Sequence, residues 1–330
     1  MDLLFLDPFS FNKFIERVTD EYLSCESKET MNLIYGLYHH KGKKGKVILE
    51  KNKAIKMNKE IGDYKFIGRN SYFSSFFLQY VISLLVEKVL SKKRDKNFVK
   101  CHTLYICGGK GFTIYEKAKH GDFASFLHKI PSFDLDDVVC SCLKSLSKTL
   151  SFLNTEYEFI HNDLKADNVL VDEKNGSLLF KISDFDNSSM TYEGRRYLQT
   201  KNILQKKISS TPKKHNMTDG FFSIEPKMST SNNLLQGSIF RLSEGNRINI
   251  DLYTLVLTIL DHPHVRRERS NMAEFGRYLK KLFREEDLIK IFDFIDNNNE
   301  NILITTFVGY LINTGIWPKP SPAWMEVPEK

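Results

Sequence analysis

The chain has 330 residues, 41% of them hydrophobic and 27% charged, with a formal net charge of +7. That is the composition of an ordinary soluble globular protein with room for two packed lobes. Five cysteines at irregular spacing (Cys25, Cys101, Cys107, Cys140, Cys142) imply no disulfide framework and fit a reducing compartment. MDLLFLDPFSF at the N-terminus carries Asp2 and Asp7 where a secretory signal has basic residues. Phe76–Leu90 is apolar but short for a membrane span, and it contains Gln79 and Glu87.

In chain order, residues 1–30 read as a helical extension, because Phe11, Phe14, Ile15, Val18 and Tyr22 recur at helical spacing. Residues 31–59 turn strand-like, with expected strands at Leu33–Tyr38, Lys46–Glu50 and Ala54–Met57. Between the first two lies KGKKGKV, where Gly42 and Gly45 allow backbone N–H groups to approach phosphates; an ordinary Lys/Gly hairpin turn explains the same residues. Eight lysines crowd into 41–59 and more basic residues follow residue 194, patches able to attract acidic partners, though no nucleic-acid motif accompanies them.

A helix is expected from Tyr72 to about Ser91, then strands at Phe98–Cys107 and Phe112–Tyr115, and a long amphipathic helix at Leu135–Asn154. Next comes HNDLKADNVLVDEKNGSLLFKISDFD, residues 161–186. Val169–Val171 and Leu178–Ile182 read as two strands joined at Asn175-Gly176, a tight-turn dipeptide. Such a hairpin has Asp163 and Asn168 before it and Asp184 after it, so folding it back gathers two carboxylates and an amide. Phosphoryl transfer needs that chemistry: a carboxylate for a hydroxyl proton and hard oxygen ligands for Mg²⁺. Residues 187–247 are rich in Ser, Thr, Asn and Lys without sustained period, and an apolar helix opens at Asp251. Helical segments around 271–283, 286–296 and 302–314 precede a Pro-rich tail.

The 161–186 stretch resembles the catalytic and metal loops of the eukaryotic-type protein kinases, H-R-D-x-x-x-x-N and D-F-G, with Asn162 in place of the Arg and Asp186 in place of the Gly. The resemblance implies an α+β, bilobal protein-kinase-like fold, with a small β-rich N-lobe containing one long helix and a larger, mainly helical C-lobe. The implied layout is an extension at 1–30, N-lobe 31–117, C-lobe 118–317 and tail 318–330. It makes Asp163 the base, gives Lys165 the γ-phosphate, and makes Asn168 and Asp184 the Mg²⁺ ligands. Gly42, Gly45 and Val47 become the phosphate loop and adenine cover, Lys56 the α,β-phosphate grip, and Glu87 its helix partner, with Glu60 and Gln79 as alternatives. YEKAKHGDFASFL resembles the hinge: Tyr115 as gatekeeper, Glu116 to Ala118 reading adenine, Asp122 facing the ribose or capping a helix. Asp251 resembles the Asp that braces the catalytic loop.

The activity so implied is ATP- and Mg²⁺-dependent phosphorylation of Ser/Thr on a protein substrate, in the cytoplasm. The altered D-F-G and the lack of a clear A-P-E (Ile224-Glu225-Pro226 is a poor substitute) resemble the kinases of large DNA viruses, poxvirus-type enzymes included, for which the compartment is the host cytoplasm. Two other readings stay open: a small-molecule kinase of the aminoglycoside or choline type, toward which Asn162 and Asp186 lean, and a pseudokinase scaffold.

Overall fold

The computed structural model describes residues 8–19, 25, 27, 30–32, 40–41, 45–50, 52–58, 60–200, 250–297 and 314. In chain order these include α1 (Pro8–Val18), β1 (His40–Lys41), β2 (Gly45–Leu49), β3 (Lys53–Asn58), β4 (Tyr64–Ile67), β5 (Asn70–Phe73) and α2 (Ser75–Lys92). Then come β6 (Cys101–Cys107), β7 (Lys110–Glu116), β8 (Gly121–Asp122), α3 (Phe123–Leu127), α4 (Ser132–Tyr157), β9 (Val169–Lys174), β10 (Ser177–Ile182), β11 (Met190–Tyr192) and β12 (Arg195–Gln199). The helices α5 (Ile250–Leu260), α6 (Pro263–Glu268), α7 (Ala273–Leu282) and α8 (Glu285–Asp296) follow. The described residues fall into two compact units, Met1–Lys119 with Ser183–Leu204, and His120–Ile182 with Gln205–Lys330. Parallel pairing of β12 with β5 ties the described residues 183–200 to the first unit.

In the first unit, a five-stranded sheet runs β1-β2-β3-β7-β6. Strand alternation sends Ile48, Ile55, Met57, Tyr105, Cys107 and Phe112 to one face, where they form an apolar cluster. The other face carries Val47, Lys56 and Thr113, in cross-strand register on β2, β3 and β7. Helix α2 is apolar nearly all round and buried accordingly. Gly111 permits its approach to β7: a Cβ there would lie 2.5 Å from the Phe76 ring.

The sequence reading began α2 at Tyr72, but Asn70–Phe73 is strand β5, paired with β4 across a turn at Gly68. Tyr64 and Phe66 alternate along β4, and Tyr72 and Phe73 end β5; aromatic side chains of this density favour strand over helix. Helix α1 lays Phe11 into the pocket this hairpin creates, with ring centroids 4.7 Å from Tyr64, 5.0 Å from Phe73 and 5.7 Å from Phe77. Burying that ring stabilises by about 1.5–3 kcal/mol. Cys25 and Cys107 form a disulfide with Cα atoms 5.6 Å apart, where the sequence implied no disulfide framework. Their separation of 82 residues carried no spacing signal.

In the second unit, β8, β9 and β10 form a small sheet. The β9–β10 hairpin turns at Asn175 (φ 52°) and Gly176 (φ 78°), the left-handed pair that the Asn-Gly dipeptide favours. Helix α4 buries Leu135, Leu143, Leu146, Leu150 and Leu153. On the same helix Asp136 accepts from the backbone N–H of Glu274 and Phe275, both at 2.8 Å, and so caps α7 from outside its own segment. No helix among the described residues is long and apolar enough to cross a membrane. The expected strand at 33–38, residues 302–313 of the expected last helix, Ile224-Glu225-Pro226 and the tail lie outside the described residues.

Candidate active site

Functional side chains gather in each unit. In the first, Lys56 on β3 extends its Nζ to 2.8 Å from Asp184 Oδ1 and donates to Gln79 Oε1 at 3.2 Å. Lys56 and Asp184 are 128 residues apart, and both side chains are largely shielded, at 17% and 29% exposure. A partly desolvated pair of this kind is worth more than a surface ion pair. The expected helix partner, Glu87, is not the one: its carboxylate pairs with Lys100 at 3.1 Å, two helical turns beyond Gln79. Glu60 is exposed.

Gln79 is 1% exposed, and its Nε2 donates to Asn58 Oδ1 and Thr113 Oγ1, each at 3.3 Å. Those bonds orient the amide so that its oxygen, the acceptor, faces the lysine. The cation thus meets a neutral acceptor on the helix and a carboxylate after the hairpin. Asp184 adopts a left-handed conformation (φ 63°, ψ 60°), costly for a residue with a Cβ.

Val47 sits opposite Lys56 in register, and Gly45 opposite Asn58; Gly42 lies outside the described residues. Glu116 ends β7, where its N–H donates to Lys100 O and its carboxylate accepts from Lys100 N. Ala118 follows, 7% exposed, and joins none of the backbone hydrogen bonds among the described residues. Burial pushes the Tyr115 hydroxyl pKa well up, so this side chain stays neutral.

In the second unit the loop 161–168 hangs from α5. Asp251 accepts from the N–H of His161 at 2.7 Å and of Asn162 at 3.0 Å, and Thr258 Oγ1 accepts from Ala166 N at 3.0 Å. Burial raises the Asp251 pKa, an effect countered by His161 and by those two hydrogen bonds. Asn162 takes φ 66°, a value Asn tolerates better than most side chains. Asn168 donates to the Asp163 carbonyl at 2.7 Å, closing the loop on itself. Asp163 is 6% exposed, with Lys165 Nζ 3.8 Å from its Oδ2. Asp122 is the N-cap of α3, accepting from Ser125 N at 2.7 Å and Ser125 Oγ at 3.0 Å.

The sequence reading missed Thr258, Asn58 and Gln199 as supporting residues. Thr258 had a usable signal, lying seven residues after Asp251 on the same helical face. The others act across long loops and had none. Among the described residues no group of three or more His, Cys, Asp or Glu can hold a metal. Asp184 in the first unit and Asn168 in the second each carry a hard oxygen of the kind that suits Mg²⁺, which takes few protein ligands and completes its shell with water and phosphate.

Residues 83–211 match the family described as protein tyrosine and serine/threonine kinase. MAP kinase-interacting serine/threonine-protein kinase 1 of Xenopus tropicalis is 28% identical over 117 residues, covering 31% of this chain and 28% of the relative. The Xenopus laevis protein of the same name matches to the same extent. The matched stretch therefore spans little more than a quarter of those relatives. With its strand-rich first unit and helical second, the chain has an α+β architecture similar to that of the eukaryotic-type protein kinases, the family its residues 83–211 match.

Proposed function

We propose that the protein transfers the γ-phosphoryl group of ATP to Ser or Thr hydroxyls of a protein substrate. The Lys56–Asp184 contact at 2.8 Å carries this reading: it unites the strand lysine with the first Asp of D-F-D. Lys56 grips the α- and β-phosphates, while Val47, Glu116 and Ala118 receive the adenine and Asp122 the ribose. Bound Mg²⁺ supplies charge neutralisation on the phosphates, and Asn168 and Asp184 are its protein ligands. Asp163 accepts the proton of the attacking hydroxyl, and Lys165 offsets charge on the transferring group. Retention of Lys56, Asp163, Asn168 and Asp184 together speaks against a scaffold without chemistry.

Asn162 and Asp186 keep the small-molecule reading as the competitor. Incubation with labelled ATP, casein and a panel of small alcohols separates the two: label is expected in casein, and label confined to an alcohol overturns the protein-kinase reading. A cytoplasmic site of action, in a host cell for a virus-borne enzyme, completes the proposal. The Cys25–Cys107 bond is the feature that argues against that compartment.

A further inference from the structure

We propose that Gln199 is a positioning residue for Asp184: it latches the turn that follows Asp184 to the start of α2. The inference rests on the kinase reading for its consequence, and on geometry for the latch itself. Asp184 sits in the left-handed region, and the residues after it, Phe185–Asn187, form one 3-10 turn. No glycine relieves the backbone there, so a strained conformation persists only where its surroundings impose it. Lys56 holds the carboxylate, but nothing in that ion pair holds the backbone beyond it.

Gln199 does. It is 8% exposed, at the end of β12, and its Nε2 donates to three acceptors from two places. One is Ser75 Oγ at 2.8 Å, on the first residue of α2; the others are the Asp186 carbonyl at 3.0 Å and Asn187 Oδ1 at 3.2 Å, in the turn. Register fixes where the amide sits. Gln199 pairs with Phe73 on β5, and Thr200 N donates to Phe73 O at 2.8 Å. Ser75 and Gln79 are four residues apart, on one face of α2. Two rungs therefore join this helix to the 184–187 turn: Gln79–Lys56–Asp184 through side chains, and Ser75–Gln199–Asp186 reaching the backbone. Outer residues that orient a metal ligand commonly change metal affinity when lost, without touching the metal.

The test compares Gln199→Met, which keeps the shape without donors, and Gln199→Glu, which accepts only, with the unaltered chain. Phosphoryl transfer is titrated with Mg²⁺ at fixed ATP, and hydrogen exchange is followed for peptides spanning 184–190 without nucleotide. Both variants are expected to raise the Mg²⁺ concentration for half-maximal rate about 10-fold to 100-fold, with most of the rate recovered at saturating Mg²⁺. Exchange should quicken at 184–190. Ser75→Ala, which removes one of the three acceptors, should give a smaller shift. A uniform fall in rate at every Mg²⁺ concentration, with a lower melting temperature, would make Gln199 mere hairpin glue and overturn the proposal. If the unaltered chain transfers no phosphate, the kinase reading fails, and exchange alone decides the latch: unchanged exchange in Gln199→Met ends it.

Discussion

The two sets of functional residues are held by different means. In the first unit side chains hold side chains: Lys56 rests on Gln79 and Asp184, and Gln79 on Asn58 and Thr113. In the second, helix α5 holds backbone, with Asp251 and Thr258 accepting from three N–H groups of the 161–166 loop. Backbone anchoring is indifferent to the side chain carried at the anchored residue, so Asn162 replaces the usual Arg without loss of the Asp251 contact. A side-chain network depends on identity at each position, and the neutral Gln79 changes the charge balance around Lys56.

That contrast orders the expected effects. Asp163→Asn removes the proton acceptor and should lower kcat about 10²-fold to 10⁴-fold while ATP binding persists, checked by label transfer beside equilibrium binding. Asp251→Ala leaves two buried N–H groups without their acceptor, at about 1–3 kcal/mol each. Denaturant unfolding should show the loss, and Asp251→Asn, which retains one acceptor oxygen, should lose less. Gln79→Leu strips Lys56, Asn58 and Thr113 of one partner each and should weaken ATP binding about 10-fold, a smaller effect than the loss from Asp163→Asn. An unchanged affinity would mean the side-chain network is not what sets the lysine.

The smallest effect is one of pH, at the N-cap of α6, four residues beyond Thr258. His262 caps α6, accepting from His264 N, and its ring lies 4.2 Å from that of His128. Burial, then the neighbouring His128, lowers its pKa to about 4 from the usual 6.5. The unfolded chain thus binds more protons between those values. Stability from this group is complete above pH 6.5 and is lost as pH falls toward 4. His262→Asn, which keeps a capping side chain, should flatten that part of the stability profile.

How much was legible follows the same division. The β9–β10 hairpin and the residues flanking it could be read because local turn chemistry and short spacing encode them. Helices α1, α4, α7 and α8 could be read from apolar period. The β4–β5 hairpin could not, since its two strands are four residues each and merge with the apolar run of α2. The partner of Lys56 was mistaken because carboxylate chemistry favoured Glu87, whereas the helical phase set by Phe76 against Gly111 turns Gln79 inward. Gln199 was invisible, since only the parallel pairing of β12 with β5 gives it a role.

The most direct test is phosphoamino-acid analysis of casein after incubation with γ-labelled ATP and Mg²⁺. Phosphoserine or phosphothreonine should appear with the unaltered chain and vanish with Asp184→Asn. Label that persists undiminished in Asp184→Asn, or that never enters the protein, would contradict the role assigned to the Lys56–Asp184 pair.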